Sequence, residues 1–103
     1  MKKIINGLRY DTEKAVKIGQ ADHLYQSDFG WWDATLYRTP RSGRFFLAGE
    51  GGPMTRFSQR VGDMRGYGEG LFPMSREEAL EWAEQYLEVE EIEKHFGNEV
   101  EDA

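Results

Sequence analysis

The chain has 103 residues, 19 Asp/Glu against 13 Lys/Arg for a net charge of −6, 39% hydrophobic content and no cysteine. That is room for one modest core, and it excludes a second domain-sized core, disulfides, thiol catalysis and thiolate metal sites. No apolar run approaches the roughly 20 residues of a membrane span, and Lys2-Lys3 is followed only by Ile4-Ile5, far short of a signal-peptide apolar region, so no membrane partner and a cytoplasmic location are expected.

Charge is segregated. Residues 75–103 hold 11 Asp/Glu against Arg76 and Lys94, whereas residues 1–74 hold 8 acids and 11 Lys/Arg. Such polarity bears on partners more than on fold, because summed charge sets steering and association. With 3 Trp, 5 Tyr and 6 Phe, aromatic side chains supply much of the available burial.

In chain order, residues 3–10 are two β-prone runs joined by Asn6-Gly7, the dipeptide suited to the positive φ angles of a type I′ hairpin turn. Asp11 or Thr12 is placed to cap a short helix, with Ala15, Val16 and Ile18 as its apolar face and Gly19 just past its end. Residues 20–30 show no period and read as a loop whose Leu24, Tyr25 and Phe29 tuck against the core. From Trp31 to Ala48 the period becomes two, interrupted by Thr39-Pro40-Arg41-Ser42-Gly43, which predicts a second hairpin. Glycine density marks residues 50–70 as a long irregular segment with one helical turn near Met54–Arg60. Leu71-Phe72-Pro73 suits a short edge strand.

Ser75-Arg76-Glu77-Glu78 is a capping box. Ala79, Leu80, Trp82, Ala83, Tyr86 and Leu87 follow at helical spacing, with Glu77, Glu81, Glu84, Glu88 and Glu91 on the outward side. Val89, Ile92 and Phe96 carry the pattern to Gly97, with a bend near Glu88–Glu90. The expected architecture is α+β: a small antiparallel sheet of hairpins 3–10 and 31–48, a short N-terminal helix, and a C-terminal amphipathic helix packed on one face. Residues 1–97 form the single domain and 98–103 a flexible acidic tail.

Catalytic signatures are missing. His23 and His95 have no second histidine at metal-ligand spacing, so no metal site and no cofactor is assigned, and His95 is expected to meet the last carbonyls of its helix. Gly66-Tyr67-Gly68-Glu69-Gly70 runs into Leu71-Phe72-Pro73 rather than opening a helix, the wrong context for a phosphate loop. Ser27, Ser42, Ser58 and Ser75 lack a nucleophile elbow. The chain is therefore read as non-enzymatic.

Two surfaces remain. The outward row Glu77, Glu81, Glu84, Glu88 and Glu91 is either a solvated helix face or a rigid set of carboxylates able to imitate duplex phosphates in a basic groove. The central Arg38, Arg41, Arg44, Arg56, Arg60 and Arg65, interleaved with aromatic residues, have the composition of a single-strand or RNA contact, although the net charge of −6 opposes direct nucleic-acid binding. Arg41, Arg44, Glu50, Arg56 and Arg60 are the secondary candidates for a partner contact. Pairing of these arginines with acidic groups of this chain or of a partner is the simpler expectation.

The strings Ile4-Ile5-Asn6-Gly7, Arg9-Tyr10-Asp11-Thr12-Glu13, Leu36-Tyr37-Arg38-Thr39, Phe46 to Met54, and Pro73-Met74-Ser75 with Glu77-Glu78-Ala79 and Glu81-Trp82-Ala83-Glu84 resemble a family of small uncharacterised proteins carried by phages and integrative elements of Gram-positive bacteria. The resemblance runs to about Gly97 and transfers no catalytic residue. By context it implies a protein similar in kind to an anti-CRISPR: an inhibitor in a bacterial host cell whose partner is a nuclease or CRISPR effector, blocked through acidic, DNA-mimic contacts. The alternatives are a nucleic-acid-binding accessory protein using residues 38–67, or an interaction module with no nucleic-acid link.

Overall fold

A computed structural model describes all of residues 1–103. Eight strands are followed by two helices, an α+β fold. The strands are β1 (Lys2–Ile5), β2 (Leu8–Asp11), β3 (Val16–His23), β4 (Trp32–Arg38), β5 (Phe45–Gly51), β6 (Gln59–Val61), β7 (Met64–Gly66) and β8 (Gly68–Met74). The helices are α1 (Arg76–Tyr86) and α2 (Val89–Phe96), and a 3-10 turn, Gly97–Glu99, closes the fold.

The central sheet is antiparallel in the order β3-β4-β5-β8, and the pairs β1-β2 and β6-β7 are separate two-stranded ribbons. The two expected hairpins therefore belong to different sheets. Asn6 and Gly7 both have positive φ (52° and 79°), as the type I′ turn requires.

The expected N-terminal helix is a correction. Asp11 does act as a cap, its Oδ1 accepting from the Glu13 N–H and its carbonyl from Lys14 and Ala15. That bonding closes a single turn, after which the β-branched Val16 and Ile18 enter β3. Asx-turn chemistry is common to helix starts and turns, so it cannot tell them apart. Residues 50–70 are also more regular than their glycines suggest, for β5 continues to Gly51 and β6, β7 and β8 follow, with turns in place of the helical turn at 54–60. The expected edge strand at 71–73 lies within β8, which is an edge of the sheet and pairs Pro73 with Phe46.

Strand β5 has both faces buried. Phe45 and Leu47 join Ile18, Ala34, Leu36, Ala79, Trp82, Ala83 and Phe96 under the helices, while Phe46 and Ala48 join Tyr10 and Leu71 under the N-terminal ribbon. Glycines permit this closeness where a methyl would not fit: a Cβ on Gly49 would stand 2.2 Å from the Asp33 carbonyl oxygen.

The Ser75 hydroxyl accepts from the Glu78 N–H at 3.1 Å, and the Glu78 carboxylate accepts from the Ser75 N–H at 2.9 Å, completing the capping box. The bend expected at 88–90 is a corner at Leu87-Glu88, both extended, between the two helices. Beyond it, Phe96 stacks on Phe45 with ring centroids 5.3 Å apart, and Arg76 reaches over both rings to pair with Glu99. The acidic tail therefore begins with an anchored residue.

Trp82 is buried and touches both Trp32 and Tyr86. Trp82→Ala is expected to cost about 3–5 kcal/mol, the usual range for a large aromatic removed from a packed site. A urea denaturation midpoint equal to the parent's would show that the α1 face does not carry the core.

Candidate functional site

The helical carboxylates divide into two groups. Glu77, Glu81 and Glu84 are exposed on α1, opposite its buried Ala79, Trp82 and Ala83. Glu88 and Glu91 lie past the corner, where the half-buried Glu91 carboxylate accepts from the Glu88 N–H at 3.2 Å. The five residues expected along one helix thus form an outward row of three and a separate cap for α2. The correction follows from Leu87, whose side chain with that of Glu91 closes directly over Gly19 of β3; a Cβ there would meet both within 2.8 Å. Seating Leu87 on the sheet turns the chain.

The arginines do not converge. Arg41 and Arg44 occupy the exposed β4-β5 turn and Arg60 and Arg65 the β6-β7 ribbon beyond the opposite end of the sheet, while Arg56 starts from the 52–58 turn and carries its guanidinium back over Phe72, which pairs with Leu47 in mid-sheet. A seven-residue strand spans about 23 Å, so no single patch contains them. Within the ribbon Arg60 stands directly opposite Arg65. The expected pairing of these arginines with this chain's own acids does not occur: the ion pairs are Lys2 with Asp11 and Arg76 with Glu99.

Glu50, placed by sequence among the arginines, belongs to another surface. Strand register sets Asp22 opposite Asp33, Asp33 opposite Glu50, and Glu50 opposite Glu69. Directly opposed residues share a face, so four carboxylates run in a line across all four strands, on the side away from the helices. At about 4.8 Å per strand the row spans roughly 14 Å. No lysine or arginine pairs with any of the four. Gln20 donates an amide N–H to Asp33 Oδ1 at 2.8 Å, and the Tyr67 hydroxyl, its ring stacked on Trp31, donates to Glu50. Like charges directly opposite one another destabilise a sheet, so the row is costly for folding. Nothing in the linear sequence announces it: residues 22, 33, 50 and 69 become neighbours only through register.

No group of three or more His, Asp or Glu is arranged to hold a metal ion. His95 lies half-buried in the last turn of α2. Burial first, then the nearby Arg38, holds its pKa below the usual histidine value, and Nδ1 has no hydrogen-bond partner. Glu78 is held below the usual carboxylate range, chiefly by the N–H of Ser75 and then by its hydroxyl. No helix is long and apolar enough to cross a membrane. Set against models of protein families, curated proteins and solved structures, the chain matches none.

The hydrogen bond to Glu50, then desolvation and the charges of Glu50 and Glu69, push the Tyr67 phenol up to about 12. The folded state thus favours the neutral phenol; its contribution is whole below the ordinary tyrosine pKa of about 10 and is lost as pH rises towards the folded value. In an alkaline tyrosinate absorbance titration, Tyr67→Phe and Glu50→Gln are both expected to remove the latest-rising phase. Curves superimposable on the parent's would disprove the Tyr67–Glu50 bond.

Proposed function

We propose that the protein is a non-enzymatic inhibitor that places a fixed array of carboxylates in the basic, nucleic-acid-binding groove of another protein, with a CRISPR effector nuclease as the instance suggested by its resemblance to phage-borne proteins. The observation that carries this reading is the row Asp22-Asp33-Glu50-Glu69, set by strand register and without a cation partner. Glu77, Glu81 and Glu84 add a second acidic row on the helix side. A basic groove would relieve the repulsion within either row and gain fast, salt-sensitive association.

A second reading has one observation in its favour. The β6-β7 ribbon is exposed throughout apart from Gly66, carries Arg60 opposite Arg65, and presents Val61 and Met64 at its tip. Two-stranded ribbons with basic side chains can enter a nucleic-acid groove. The net charge of −6 weighs against it, because phosphate neutralisation supplies most of such affinity.

The two readings predict opposite results. The isolated protein is expected not to shift a labelled single-stranded oligonucleotide at low salt, and to inhibit DNA cleavage by a CRISPR effector nuclease captured from a host lysate. Inhibition should be lost in Asp22→Lys/Glu69→Lys or in Glu77→Lys/Glu81→Lys/Glu84→Lys, all exposed positions, with the thermal melt little changed, since exposed charges affect binding more than stability. Inhibition surviving both charge reversals would reject the acidic mechanism. A clear gel shift that weakens roughly five- to tenfold between 50 and 200 mM salt, as two neutralised phosphates imply, and vanishes in Arg60→Ala/Arg65→Ala would establish the ribbon reading instead.

A further inference from the structure

On the helix side of the sheet, at the end where β4 begins, lies a cleft of about 560 Å³. This is within the ordinary range of small-molecule sites, roughly 300–1,000 Å³. Its floor is Ala34, Leu47 and Phe57, and one wall is an aromatic cluster. The Tyr86 ring meets Trp32 edge-on at 4.9 Å and Trp82 at 5.1 Å. The opposite rim carries Leu24 and Met54, 52% and 77% exposed, and the Arg56 side chain.

The rim that faces the aromatic wall is fixed by its own backbone bonds. The Gly52 N–H donates to the Trp31 carbonyl at 2.7 Å, and the Met54 N–H to the Phe29 carbonyl at 2.9 Å, tying the 24–31 loop to the 52–57 turn. Gly52 makes this approach possible, because a Cβ there would meet the Phe29 carbonyl oxygen at 2.6 Å. Leu24, at φ +63°, sits in the left-handed region that a branched residue occupies only under constraint. Its exposed position corrects the expectation that Leu24, Tyr25 and Phe29 tuck into the core; all three are exposed, 52–80%, and Leu24 lines the cleft.

The chemistry of the lining selects the ligand. Among Asp, Glu, Lys and Arg, the cleft's lining contains Arg56 alone. Its guanidinium lies 4.6 Å above the Phe72 ring, just outside the lining, and near enough to Glu78 to help hold that carboxylate ionised, but it makes neither an ion pair nor a hydrogen bond within the chain. A planar, always-charged donor beside an aromatic wall suits a flat ring bearing an acidic group. We propose that this cleft binds a small planar aromatic anion, the ring lying against Trp32 and Tyr86 and the acidic group paired with Arg56. The site is independent of the acidic rows: it is on the other face from Asp22-Asp33-Glu50-Glu69 and contains none of the outward glutamates of α1.

Anilinonaphthalenesulfonate and its uncharged counterpart N-phenylnaphthylamine have nearly the same rings and differ in the acidic group. Fluorescence titration of the whole chain should give one sulfonate bound per chain, tighter than the neutral probe. Arg56→Gln is expected to weaken the sulfonate about tenfold and the neutral probe less than twofold. Tyr86→Ala should weaken both, and Arg44→Ala, an exposed arginine at the far end of the sheet, neither. Thermal melts of the variants show whether each is folded, and Arg56→Gln alone decides the charge assignment, since that side chain is on the surface. Equal affinities for the two probes, several sulfonates per chain, or a preference for the sulfonate unchanged in Arg56→Gln would each overturn the proposal.

Discussion

Everything in this fold is organised around a strand buried on both faces. Phe45, Phe46, Leu47 and Ala48 are consecutive and all buried, so alternation along β5 sends large side chains to both sides and each side needs a cover. The helices supply one and the N-terminal ribbon the other. The ribbon is only four residues a strand, and its contacts through Tyr10 fall on Phe46, at the end of the sheet where β5 begins. The opposite end of that face has no strand or helix over it, only Met1 and the Tyr67 ring beside it. The molecule is correspondingly flat, 47 × 34 × 20 Å, its thin dimension close to one sheet and one helix layer.

The bare end is where the carboxylate row lies, and this is physically consistent. Side chains with no protein layer above them have to be solvated, and carboxylates are well solvated. Solvation does not explain four of one sign in register, however, since alternating charges would be equally soluble and would attract across strands. Departures from local consistency of this kind tend to mark functional surfaces. The same end of the sheet, on its other face, carries the aromatic cleft, also without a covering element. Both features follow from the same shortage: two short helices and one small ribbon cannot cap the whole of a four-stranded sheet.

Local chemistry made several elements legible. Asn6-Gly7, the alternation of 31–48 and the Ser75/Glu78 capping box each depend on neighbours in sequence, and each formed as expected. The misreadings came where one local signal serves two structures. Asp11-Thr12-Glu13 bonds alike at a helix start and in a turn, and the β-branched residues that follow decided for β3. Gly49, Gly51, Gly68 and Gly70 looked like loop punctuation, yet they sit in β5 and β8, where backbones or rings come too close for a Cβ. At the sites the limit was more severe. The outward face of α1 was readable from its period, whereas the acidic row and the cleft join residues from distant segments, and only strand register brings them together. Conversely the arginines of the β4-β5 turn and of the β6-β7 ribbon, close in sequence, were carried to opposite ends by the length of β5.

The placement of charge constrains how a partner can bind. The acidic rows of α1 and of the sheet face away from each other across a molecule 20 Å thick, while the Debye length at physiological ionic strength is about 8 Å. Each row is therefore screened from the other, and the two behave as separate fields. At long range they add to the net charge that speeds encounter with a cationic surface; at contact a flat or grooved partner engages only one. The sheet row is held by backbone pairing on all four strands and loses little freedom on binding. Within the sheet row Asp33 and Glu50 are also held by Gln20 and Tyr67, whereas the α1 row is glutamate throughout with no such bond, and each side chain gives up rotamer entropy when fixed. For equal numbers of ion pairs, the sheet face is thus the better preorganised of the two surfaces, and on the proposed function it is the one a basic groove would engage.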